Sequence, residues 1–109
     1  MPTSTHFVQA LLESGEAKAL LERRLAEYAL GIVAALRSGR LSIDQAADDL
    51  FNLDNLRMIR HRRLQPALCE LIERGMELED VAELAAVGLL ESFDAMTHLA
   101  EQIIARPAA

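Results

Sequence analysis

The 109-residue sequence predicts an all-α fold, and three observations carry that prediction. Leu and Ala dominate a hydrophobic fraction of 51%, while aromatics make up only 4%. Leu, Ala, Glu and Arg lose little side-chain freedom in a helix, so this composition favours helices. Apolar residues recur at helical spacing, and no segment sustains the strict alternation of a half-buried strand. We therefore expect a single domain over residues 1–109, a bundle of five to seven helices around a buried central helix at about residues 16–38.

The elements follow in chain order. Thr3, Ser4 or Thr5 can cap a short first helix that stops near Gly15, with Phe7, Ala10 and Leu11 on one face. The second and longest helix, about Glu16 to Ser38, closes at Gly39, where a left-handed cap suits a residue without a side chain. Its stripe of Leu21, Leu25, Tyr28, Ile32 and Leu36 keeps the helical period, and no charge interrupts "YALGIVAAL" from Tyr28 to Leu36. A helix apolar all round has to be covered all round, which puts this half at the centre of the core.

Ser42 and Gln45 then form a capping box for a third helix, with Asp44 in the first turn, where the helix dipole favours an acid. Its inner side carries Ile43, Ala46, Ala47 and Leu50, with Phe51 near the end. A short helix after Asp54 or Asn55 turns Leu56, Ile59 and Met58 inward. Pro66 suits the first turn of the next helix, which ends at Gly75. "MELEDVAELA" is a short helix or turn. The last helix runs from about Gly88 to Ala105, with Leu89, Phe93, Met96, Ala100 and Ile103 inside and Pro107 as its stop.

The phrases "SGRLSIDQAADDLF" and "LIERGMELEDVAEL", both between Ser38 and Leu84, resemble a family of small all-helical bacterial proteins catalogued as a domain of unknown function. The resemblance implies an all-α fold and a bacterial source. It implies no activity, cofactor or site residue.

Several function classes fall away on composition. Cys69 is the only cysteine, so an intrachain disulfide scaffold is excluded. The N-terminal "MPTSTHFVQALLESG" lacks the basic start of a signal peptide, and an uncharged run of nine residues is far short of the ~20 needed to span a bilayer. We expect a cytoplasmic protein without a membrane segment. Phosphate-loop, nucleophile-elbow, His-Glu-x-x-His and Cys-x-x-Cys motifs are absent, so we expect neither an enzyme nor a cofactor. Glu91, Asp94, His98 and Glu101 share one face of the last helix, but no Glu-x-x-His pair from another helix answers them; we expect a solvated face and no metal. Cys69 sits among Leu68, Leu71 and Ile72 and reads as a small buried hydrophobe.

One stretch stands out against a net charge of −6: "NLRMIRHRRL", with Arg57, Arg60, His61, Arg62 and Arg63 in seven positions. Acidic segments flank it, −4 over residues 41–55 and −7 over residues 70–109. On a helix Arg57, Arg60 and His61 share a side while Arg62 points elsewhere, so no single basic stripe forms. A pI near 5.0 and the lack of neighbouring aromatics argue against nucleic acid. Arginine forks suit carboxylates, either of this chain (Asp48, Asp49, Asp54, Glu70) or of a partner. The leading expectation is a non-catalytic protein-interaction module, immunity-like or regulatory, whose partner is another protein or a second copy. A homodimer could bury excess apolar surface through Leu90, Met96, Ile103 and Ile104. The alternative is a nucleic-acid or phosphate-binding module built on the Arg57–Arg63 cluster.

Overall fold

Seven α-helices and no strand make up residues 5–84 and 86–106, the residues that the computed structural model describes. They are α1 (Thr5–Leu12), α2 (Lys18–Arg37), α3 (Ile43–Asp49), α4 (Leu53–His61), α5 (Pro66–Met76), α6 (Leu78–Leu84) and α7 (Ala86–Ala105). The first-helix cap candidates Thr3 and Ser4, and the stop at Pro107, lie outside the described residues.

Local chemistry explains most of the boundaries. At α3 the capping box is complete: Ser42 Oγ accepts from Gln45 N at 3.1 Å, and Gln45 Oε1 accepts from Ser42 N at 2.9 Å. Pro66 opens α5 at the position where its missing N–H costs nothing. Gln65, the residue before it, donates its backbone N–H to Glu22 of α2 at 2.6 Å, which ties the α4–α5 turn to the long helix. Gly39 takes φ +75° just past α2; Gly39 N donates to Leu36 O and Arg40 N to Ala35 O, a full Schellman closure.

The core is shared by two long helices. α7 packs on α2, α5 and α6, and the α2–α7 contact is the most extensive in the molecule. Leu21, Leu25, Ile32, Val33 and Leu36 of α2 are buried with Phe93, Met96, Ala100 and Ile103 of α7. α2 is thus one of two central helices, and it is not covered all round. Gly31 and Ala34 are exposed, and a shallow groove runs past Gly31, Ile32, Ala35 and Leu41. Small side chains lose little by facing water, which is why an uncharged sequence need not mean a sheathed helix.

Three other expectations change. The inner face of α1 is Val8 and Leu12, while Phe7 stays exposed and stacks on Tyr28 with ring centroids 4.5 Å apart. Gly75 does not end α5. It lies inside the last turn with the Phe51 ring against its Cα, where a Cβ would come within 2.1 Å of the ring. Glycine is needed there for close approach. Met96 and Ile103 are core residues and leave only Leu90 exposed from the dimer face expected on α7.

A basic cleft between α1 and α4

α4 starts two to three residues earlier than a cap at Asp54 or Asn55 would give, because Asn52 is the cap. Its Oδ1 accepts from Asn55 N at 2.9 Å, and its Nδ2 donates back to Ala47 O at 2.9 Å, so one side chain closes α3 and opens α4. Asn55 is fully buried; its Nδ2 donates to Leu50 O at 3.1 Å. Leu56 and Ile59 then lock the helix to the core.

The other end of α4 closes like α2 but with a different residue. Arg63 N donates to Arg60 O at 3.0 Å and Leu64 N to Ile59 O at 3.3 Å, which brings Leu64 down beside Ile59 in the core. This closure needs a left-handed residue, and Arg63 supplies it at φ +55°. Among the described residues Arg63 is the only non-glycine with positive φ. The clash of its Cβ with the following carbonyl costs about 1–2 kcal/mol. Glycine would be the cheaper residue.

The cluster divides by what each cation meets. Arg60 Nη2 lies 3.5 Å from Glu73 Oε1 of α5. Arg57, His61 and Arg62 face α1 and, with Gln9, Leu12, Glu13 and Met58, line a cleft of about 360 Å³. Leu12 and Met58 give it an apolar floor; Glu13 on the far wall accepts from Gln9 Nε2 at 3.2 Å. Arg57, Arg62 and Arg63 have no carboxylate within 4.0 Å among the described residues. Lys18, Arg40 and Arg106 share that condition but stand singly along the chain.

This grouping differs from the helical-wheel expectation. Arg62 joins Arg57 and His61 by way of Met58: as the C-cap it keeps helical backbone (φ −79°, ψ −3°), its N–H still donates to Met58 O at 3.1 Å, and it follows Met58 onto the α1 side. Arg60 leaves for Glu73. Among the described residues, ion pairing of the cluster is confined to that one pair, and Glu70 meets Arg74 at 3.3 Å instead. The α1 wall of the cleft has no sequence signal, because nothing local ties Gln9 and Glu13 to a helix more than forty positions on.

The remaining candidates stay separate. Asp94 pairs with Arg37 of α2, and His98 Nε2 lies 3.1 Å from Gln102 Nε2, so the row on α7 is divided among its own neighbours. Cys69 is half-buried against the core. No group of three His, Cys, Asp or Glu side chains forms a metal-ligand cluster among the described residues, and no described helix is long and apolar enough to cross a membrane.

Fold and cleft together define a small all-α domain whose most distinctive surface feature is a basic rim on an apolar floor. The chain belongs to the family DUF3969, described as a protein of unknown function, which it matches over residues 16–108. That match includes α4 and leaves α1, the other wall of the cleft, outside it. No curated protein and no solved structure matches the chain.

Proposed function

We propose that this protein is a non-catalytic interaction module of the cytoplasm, immunity-like or regulatory, that recognises an acidic segment of a protein partner at the α1–α4 cleft. One observation carries the reading. Two arginines, Arg57 and Arg62, with no carboxylate within 4.0 Å among the described residues, border an apolar floor in a chain whose net charge is −6. Arginine holds carboxylates in bidentate fashion, and the floor of Leu12 and Met58 suits one apolar side chain of the same segment. Arg63 adds support, because strain kept on a surface residue points to a use beyond the fold.

The same unpaired arginines support a second reading, a phosphate or nucleic-acid site. Net charge opposes it by repelling a polyanion at long range. The test is a fluorescence titration with a labelled peptide bearing one leucine among glutamates, beside single-stranded RNA and heparin, at physiological salt. The acidic peptide is expected to saturate the protein, with binding lost in Arg57→Gln/Arg62→Gln. Binding of RNA with none of the peptide replaces this reading by the second.

A further inference from the structure

A second surface mirrors the cleft with the signs reversed. Leu84 at the end of α6 is 86% exposed, and Val87 and Leu90 in the first turns of α7 are 68% and 56% exposed. Asp80 and Leu84 share a face of α6, and Val87, Leu90 and Glu91 share a face of α7. Glu79, Asp80, Glu83 and Glu91 have no basic group within 4.0 Å among the described residues. Unpaired acids therefore surround an exposed apolar ridge, as unpaired arginines surround an apolar cleft. Within one chain the two surfaces form no ion pair.

Charge decides how two copies can meet. A pairing that sets either patch on its own counterpart brings acid against acid on the ridge or arginine against arginine on the cleft, and like charges brought together are unfavourable. A head-to-tail pairing sets acid against arginine and the leucine ridge into the apolar floor. At physiological salt the screening length is about 8 Å, so these local pairs act while the overall repulsion between copies is damped.

We propose that the chain associates with itself head-to-tail, the exposed Leu84, Val87 and Leu90 of one copy seated in the α1–α4 cleft of the next. Asp80 and Glu83 then meet Arg57 and Arg62, and Leu84 rests on Leu12 and Met58. The pairing rests on the reading of the cleft as an interaction site and names a second copy as its occupant. Contacts of this heterologous kind continue into a ring or an open filament.

Two variants and their mixture test it by analytical ultracentrifugation. Leu84→Ser/Leu90→Ser removes the ridge and keeps the cleft; Arg57→Glu/Arg62→Glu removes the cleft and keeps the ridge. All four positions are exposed, and unchanged thermal melts establish that both variants are folded. Wild type is expected to grow beyond a dimer with rising concentration, each variant to stay monomeric, and the equimolar mixture to form a 1:1 dimer and stop. A mixture that stays monomeric, or a ridge variant that assembles like wild type, overturns the proposal. Wild type that remains monomeric at high micromolar concentration while binding the acidic peptide overturns self-association and leaves the cleft reading intact. Loss of both overturns both.

Discussion

α2 and α4 end in the same backbone motif and use their charges in opposite ways. α2 closes on Gly39, and its arginines all meet carboxylates: Arg23 with Glu27, Arg24 with Glu16, Arg37 with Asp94. α4 closes on Arg63, and among the described residues Arg60 alone of its basic cluster meets one. Both helices bury an apolar face against the same core. The difference lies on the outer side, where α2 is chemically settled within its own chain and α4 is not. Backbone strain and unpaired cations on one surface are what the proposed interaction role of the cleft draws on.

The largest effect expected separates the inner faces. Ile59 of α4 is fully buried, whereas Ile32 of α2 is 7% exposed and borders the open groove beside Gly31. Ile59→Asp strands a carboxylate without a partner and is expected to remove more than about 4 kcal/mol, enough to unfold a domain of this size. Ile32→Asp is expected to cost less, because its carboxylate can turn into the groove. Urea denaturation followed by circular dichroism ranks the two. Equal losses would mean that α2 is sheathed after all.

Exchanging the closing residues sharpens the comparison. Gly39→Arg is expected to destabilise by about 1–2 kcal/mol, since it adds a Cβ to a left-handed position. Arg63→Gly relieves the same clash and is expected to stabilise by about 0.5–1 kcal/mol, after the extra freedom that glycine gives the unfolded chain. Acidic-peptide affinity should fall in Arg63→Gly as stability rises. A glycine variant that loses stability would remove the strain argument.

The fold was largely legible because its signals are local. The capping box at Ser42, the proline at the start of α5 and the glycine after α2 each act within a few residues, and the structure has all three. Faces with two equivalent phases were not legible. On α1 the pairs Phe7/Leu11 and Val8/Leu12 have identical spacing, and which one is fully buried depends on how α1 comes to lie on α2 and α4, far along the chain. Gly75 looked like a stop because the Phe51 ring that demands it is twenty-four positions away. The candidate site was half legible for the same reason. Its arginines lie in one run, but the cleft exists only where α1 comes to rest on α4, and the acids of residues 70–109, though close in sequence, pack elsewhere apart from Glu73.

The smallest effect expected is the one that tests the contrast in charge most directly. Arg37 pairs with Asp94 and lies over the Phe93 ring, 5.6 Å from its centre, so its charge is used within the fold. The pair is largely exposed, which limits its worth; Arg37→Gln is expected to cost about 0.5–1 kcal/mol. Arg57 and Arg62 meet no carboxylate among the described residues, so Arg57→Gln/Arg62→Gln should leave the melting curve where it is. Repulsion between neighbouring cations even permits a slight gain, since each change removes a like charge from a crowded helix end. Raising salt should narrow the gap between Arg37→Gln and wild type, because screening weakens the one interaction that the variant loses. If the double variant is as destabilised as Arg37→Gln, the cleft arginines are paired in solution and α4 is as settled as α2.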